Sequence, residues 1–224
     1  YSGLLSDRSQ FKAYLALSSV CFFWGTTYLG IRMALESFPP LVLVSARFII
    51  SGTIMLVVSR FLKAPLPKGR ELWRTAANGI LILGIGNASL TFSEMWIPSG
   101  LAALIVTTSA FWMVGIDAMI PGGERLHLPT VGALVVGAAG AGLLLAPSSG
   151  EGIHRSVVAG FLILQFGCAS WCLGSMLQRR MRKLAHPVIS GAIQQLAAGL
   201  AFLPLAVLTP SDPIRWQFRG TMAI

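Results

Sequence analysis

The sequence predicts an all-α integral membrane protein, and three observations carry that prediction: little charge, apolar runs long enough to cross a bilayer, and basic residues gathered between those runs. Of the 224 residues only 11% are charged and 54% are hydrophobic, with a mean hydropathy of +0.73. A soluble domain carries about a quarter charged residues, so this composition cannot cover a surface that faces water. The bulk solvent of the folded chain is lipid.

A helix needs roughly 20 mostly apolar residues to cross the hydrocarbon core. Seven spans meet this, at about 13–32, 40–60, 75–95, 99–120, 129–147, 157–178 and 187–208. The breaks between them carry turn chemistry: Pro39-Pro40, Pro65 and Pro67, Pro98-Ser99-Gly100, Pro121-Gly122-Gly123 and Pro147-Ser148-Ser149-Gly150. The break at 96–98 is so short that the third and fourth spans must be antiparallel neighbours.

The net charge of +9 does not form the basic stripe of a nucleic-acid binder. Arg60, Lys63, Lys68, Arg70 and Arg74 follow span two, Arg125 follows span four, and Arg179, Arg180, Arg182 and Lys183 follow span six. Lys and Arg hold loops on the cytoplasmic side, so the N-terminus is expected in the cytoplasm. Arg32, Arg155, Arg215 and Arg219 then fall outside, and Arg47 lies within a span. The first apolar span is too long for a cleavable signal peptide. Cys21, Cys168 and Cys172 lie in apolar spans and give no disulfide framework. His127, His154 and His186 are too scattered for a metal site.

The chain also repeats itself. A shift of 147 places Trp24 on Trp171, Pro40 on Pro187 and Gly52 on Gly199, with Arg47 opposite Gln194. The loop at 33–39 has no Lys or Arg, whereas its counterpart after span six is strongly basic, so the two units have opposite sense in the membrane. Inverted repeats are a common plan of secondary transporters, with substrate held near the midplane between the halves. Residues 1–147 are expected to form one five-helix unit, and 148–224 an incomplete second unit of two helices and the approach to a third. Residues 216–224 read as the run-up to a further span, so a C-terminally truncated chain is expected.

The residues resemble the EamA-type families of the drug/metabolite transporter superfamily. Phe23-Trp24-Gly25-Thr26-Thr27-Tyr28 is similar to the opening Trp-Gly pattern, and Pro39-Pro40 with Ala46-Arg47-Phe48 and Gly52 to the second helix. Glu94-Met95-Trp96-Ile97-Pro98-Ser99-Gly100-Leu101-Ala102-Ala103-Leu104 looks most like the YedA-like exporters, and Gly122-Gly123-Glu124-Arg125 resembles the family's Gly-Glu turn. The match covers 1–147 well and 148–208 more weakly. It implies a bundle of two inverted five-helix repeats, with about seven transmembrane helices present of an expected ten. It also implies efflux of small metabolites or drug-like molecules across a bacterial inner membrane. One departure stands in span four, where Thr107-Thr108-Ser109-Ala110 replaces a proline that such families often place there.

Ionisable groups within a membrane are functional candidates by default. Arg47 could hold an anionic or carbonyl group of a substrate, or lock onto backbone carbonyls, Glu94 or Asp117. Glu94 shares a helical face with Asn87 and Thr91. It could bind a proton or a cationic substrate, or fix the tight turn that follows. Trp24 and Tyr28 share a face, and Trp171 is the repeat counterpart of Trp24. These rings could line an apolar pocket and stack on flat or cationic substrates, or simply pack helices. Gln194 is the candidate from span seven through its pairing with Arg47. Asp117 and Trp96 read as interfacial anchors. Gly132, Gly137, Gly140 and Gly142 allow close helix approach, in a helix that the resemblance associates with a homodimer.

The leading expectation is therefore a secondary transporter working by alternating access, with a small-molecule substrate and a proton as candidate coupling ion, no cofactor and no nucleic acid. A non-functional or regulatory transporter fragment is the alternative. A membrane-embedded enzyme is less favoured, because the spans hold no cluster of His, Asp, Ser or Cys at midplane depth. A retinal receptor would need a Lys within a span, and none is there.

Overall fold

A computed structural model describes residues 2–123, 126–145, 155–181, 186–209 and 214. Among these, all regular structure is helical: α1 (Ser2–Ala34), α2 (Pro40–Phe61), α3 (Arg70–Ser93), α4 (Ser99–Met119), α5 (Leu128–Leu145), α6 (Arg155–Arg180) and α7 (Pro187–Leu208). Six of them are long and apolar enough to cross a membrane, and α5 adds a shorter apolar stretch, Leu128–Gly140. The seven helices coincide with the seven expected spans. The largest offset is at α1, whose apolar part begins near residue 13 while its backbone ladder starts at Ser2. The turn at 147–150, Glu124, Arg125, Arg182, Lys183 and the stretch from 215 onward lie outside the described residues.

Proline sets where helices begin. Pro39 (φ −58°, ψ 146°), Pro98 (φ −61°, ψ 147°) and His186 (φ −61°, ψ 138°) hold the extended cap conformation before α2, α4 and α7. Proline suits the first helical turn because its missing N–H has no partner to lose there. The α1–α2 and α3–α4 turns are two copies of one motif. The carbonyl of Ala34 accepts from the amides of Ser37 and Phe38, and that of Ser93 accepts from Trp96 and Ile97. In the same register, Leu35 donates to Ile31 and Glu94 to Leu90, while Leu43 donates to Pro39 and Ala102 to Pro98. Both turns lie at one end of the bundle, here termed the turn end; Arg60, Lys63, Lys68, Arg70 and Arg74 lie around the α2–α3 connection at the basic end.

The most extensive packing is between α2 and α7. A Cβ on Gly52 would stand 2.9 Å from the backbone nitrogen of Leu196, and one on Gly199 would stand 2.9 Å from that of Ile49. Ile49 and Leu196 are themselves 147 apart, so the two contacts are reciprocal. Small residues at both crossings let the backbones approach within van der Waals range. Helix α6 packs on α3 and α4, and α3 also lies against α7. A core of Ile31, Ala34, Phe38, Leu43, Leu90, Ile97, Ala102, Ile105 and Leu164 knits α1, α2, α3, α4 and α6 near the turn end. Helix α1 joins it only through its last turns, and Phe11, Tyr14, Leu15, Leu17 and Val20 are exposed.

Two helices are irregular. Residues Ile80–Ile85 of α3 are π-helical, a rarity that concentrates at functional sites. In α4 the ladder tightens at Thr107 and Thr108. Helix α6 crosses both irregularities: the Ser170 hydroxyl donates to the carbonyl of Leu81 at 2.9 Å, and the Cys172 thiol to that of Ser109 at 3.3 Å.

Candidate functional site

The first group of polar and aromatic residues is built from the ends of α1 and α3 and the start of α2. Glu94 closes α3, is fully buried, and neither of its carboxylate oxygens has a hydrogen-bond partner. An unpartnered carboxylate in an apolar core is costly by several kcal/mol, so a role confined to the turn should show in the turn's bonding. It does not. The backbone hydrogen bonds of the Glu94 turn form equally in the twin turn with Leu35 in its place. The carboxylate contributes no hydrogen bond to this turn.

Two arginines surround it. Arg32, near the end of α1, donates from Nη1 to the backbone carbonyl of Glu94, joining α1 to the α3–α4 turn. Arg32 and Arg47 both lie within electrostatic reach of the Glu94 side chain. Arg47 is half-buried, and its guanidinium stands 5.7 Å from the ring centroid of Phe48. Cation and carboxylate thus face the same region without the direct ion pair that would neutralise both; no hydrogen bond satisfies the Glu94 oxygens.

An aromatic wall continues from this cluster. Tyr28 is 8% exposed, within electrostatic reach of Glu94, and its hydroxyl meets the Trp24 side chain. Trp24 in turn meets Trp171 of α6, with ring centroids 6.5 Å apart and planes tilted by 54°. Trp171 rests on Gly86, where its Cβ would be 3.4 Å from an added methyl. The three ring residues expected from the sequence therefore form one continuous surface from mid-bundle to Glu94.

Asn87 and Thr91 lie on the α3 face below Glu94, but the buried Thr91 hydroxyl is turned to its own helix, donating to the Asn87 carbonyl at 2.9 Å. Gln194 stands apart. An added Cβ at Gly79 would collide with the Gln194 backbone, so this residue marks the α3–α7 crossing nearer the basic end. Its neighbour Gln195 makes the side-chain contacts across the α2–α7 interface, meeting Ser51 Oγ and donating from Nε2 to Met55 Sδ at 2.9 Å. Trp96 is 40% exposed beside the turn, as an interfacial anchor would be.

Sequence reasoning passed over Arg32, which it counted only among the basic residues falling outside. Of Gln194 and Gln195, one was expected to face the bundle interior and Gln194 was preferred; Gln165, a lone amide in the run Phe161-Leu162-Ile163-Leu164-Gln165-Phe166, was passed over. The signal for Gln165 was present, since a polar side chain amid such a run must find partners.

Comparison with known proteins completes the picture. The profile of the EamA-like transporter family matches residues 11–146. The uncharacterized inner membrane transporter YedA of Escherichia coli strain K12 is 33% identical over 197 residues, 88% of this chain and 62% of that protein. A probable amino-acid metabolite efflux pump of the same strain is 25% identical, over 81% of this chain and 57% of its own length. A WAT1-related chloroplastic protein of Arabidopsis thaliana is 25% identical over 99% of this chain and 53% of its length. The chain thus spans between half and two thirds of these relatives. One solved crystal structure superposes with a TM-score of 0.61 at 21% identity, covering 92% of this chain and 73% of that one, a likeness of fold.

Proposed function

Because the chain belongs to the EamA-like transporter family, we propose that it exports small metabolites or drug-like molecules by alternating access, with Glu94 as the group that exchanges a proton for cargo. The observation that carries this reading is the buried Glu94 carboxylate, unpartnered between Arg32 and Arg47 at the head of the Tyr28–Trp24–Trp171 wall. A carboxylate so placed is stabilised either by a proton or by a cationic group, which is the competition an antiporter needs. Arg47 supplies the complementary site for an anionic or carbonyl part of the cargo. The name of the E. coli relative supports amino-acid metabolites among the molecules carried.

The reading includes two units of opposite sense, 1–147 and 148 onward. The reciprocal contacts of Gly52 with Leu196 and of Gly199 with Ile49 support it, as does the meeting of Trp24 with Trp171. It also places the basic end in the cytoplasm and the turn end outside, with Arg32 closing the outer mouth through Glu94. Helix α5, whose Gly132, Gly137 and Gly142 are exposed, is the proposed contact of a homodimer.

Flux tests this. In proteoliposomes of the full-length protein, efflux of labelled amino acids and cationic dyes should be driven by a pH gradient. Glu94→Gln should abolish the gradient dependence, and Arg47→Ala should raise KM for anionic cargo. Flux that survives both changes would make the two charges structural, and no flux from a well-folded protein would sink the exporter reading.

A further inference from the structure

We propose that Gln165 of α6, held at the break in α4, is a second recognition group that takes a neutral carboxamide-like part of the cargo. The proposal rests on the transporter reading and deepens it by naming a cargo chemistry that Glu94 and Arg47 do not serve.

The α4 ladder tightens over one turn. Thr107 donates to Leu104, Thr108 to Ile105, Ala110 to Thr107 and Phe111 to Thr108, at 2.9–3.2 Å, each a bond to the residue three before. At this point α6 presents Gln165. The Trp112 indole donates to Gln165 Oε1 at 2.8 Å, Gln165 Nε2 donates to Thr108 Oγ1 at 2.7 Å, and the Thr108 hydroxyl donates to the Ile105 carbonyl at 2.6 Å. The chain of bonds runs in one direction. An indole nitrogen can only donate, so Oε1 must face Trp112 and the amide orientation is determined. A primary amide has two donors and two acceptor sites; here one N–H and one lone pair of Oε1 are left over after Thr108 and Trp112 are served.

Depth decides where that remainder can face. Thr108 lies nine residues beyond Ser99, about 14 Å along the helix axis, near the middle of a hydrocarbon core about 30 Å thick. An amide presenting a bare donor and acceptor to lipid there is costly. The network is nonetheless open: Gln165 and Thr108 are half-buried and Trp112 is 38% exposed. A polar edge left open at this depth fits a hydrated or ligand-filled space. A group with one donor and one acceptor beside a flat ring meets both the spare amide edge and the exposed indole, whereas a charged group finds no counter-charge in this network.

Equilibrium binding of radiolabelled benzamide and of benzylammonium to the full-length protein in nanodiscs tests the proposal without requiring flux. Wild type should bind benzamide. Gln165→Met, which keeps the length and removes the hydrogen bonds, should raise its Kd about tenfold. Gln165→Glu should lose benzamide and gain benzylammonium, a swap that a packing role does not produce. No benzamide binding by wild type, or equal affinity in wild type and both Gln165 variants, overturns the proposal. Benzamide binding that depends on Gln165 in a protein that moves no cargo would retain the site and reject the transporter reading.

Discussion

The indole rings of Trp24 and Trp171 touch, 6.5 Å between centroids, although 147 residues separate them and they occupy the same position of the repeat. On the proposed two-unit reading, contact between repeat-equivalent residues arises near the axis that relates the units, and the reciprocal contacts of Gly52 with Leu196 and Gly199 with Ile49 support it. The aromatic wall thus draws on both α1 and α6, and its rings should be energetically coupled. Trp24→Ala and Trp171→Ala are each expected to destabilise the protein, and the double variant by less than their sum. A coupling of about 0.5–1.5 kcal/mol is expected, measured by unfolding of the full-length protein in detergent. Strict additivity would mean that the rings merely lie near each other.

The twin turns predict an unusual outcome at Glu94. Leu35 occupies the equivalent position of an isostructural turn, so Glu94→Leu replaces a buried, unpartnered carboxylate with the side chain that the same backbone already accepts. With no hydrogen bond to either carboxylate oxygen, the replacement breaks none and removes the desolvation cost of a buried charge, on the order of several kcal/mol. Thermal unfolding should show a protein at least as stable as wild type, while proton-dependent flux is lost. A large loss of stability would assign the carboxylate a structural partner.

How much of this was legible beforehand follows from which signals are local. Proline caps, basic loops and apolar runs are written into short segments, and α7 fills 187–208 as expected. The π-helical stretch Ile80–Ile85 leaves no such mark, because Ile, Leu and Gly serve either helix type. Gln195 rather than Gln194 bridges to α2, since one residue turns a helical side chain by about 100° and only the partner helix decides which faces it. The union of Arg32 with Glu94 joins residues 62 apart, a tertiary fact that neither segment contains. Trp24, Tyr28 and Glu94 could be singled out as candidates because aromatic and ionisable groups in lipid are rare enough to signal themselves.

The α2–α7 crossing should be intolerant of even one methyl on either side. Gly52→Ala puts a Cβ 2.9 Å from the Leu196 nitrogen, and Gly199→Ala puts one 2.9 Å from the Ile49 nitrogen, both against backbone that cannot rotate away. Each is expected to destabilise by about 1–3 kcal/mol, and by similar amounts because the contacts are reciprocal. Gly115→Ala in α4, where nothing lies within 4 Å, is the control and should be neutral or slightly stabilising. Unequal costs at Gly52 and Gly199 would count against the two-fold relation.

Arg32 ties the end of α1 to the α3–α4 turn, so its loss should loosen the mouth at the turn end without melting the bundle. Met95 lies in that turn and is 49% exposed, while Leu62, 54% exposed, follows α2 at the basic end. In intact cells a membrane-impermeant maleimide should label Met95→Cys but reach Leu62→Cys only after permeabilisation, because the proposed topology holds the basic connections in the cytoplasm. The reverse pattern would invert the proposed topology. Ile97→Cys reports the mouth itself, since Ile97 is fully buried beside the clasp. Its labelling should be slow in the parent and several-fold faster when Arg32→Ala is added, because removing the guanidinium frees the Glu94 carbonyl and lets the turn open. Arg32→Lys should fall between the two, as an ammonium can still donate to that carbonyl but lacks the reach and planar fork of the native side chain. Equal labelling rates in all three would show that apolar packing around Ile97, and not the Arg32 clasp, closes this end.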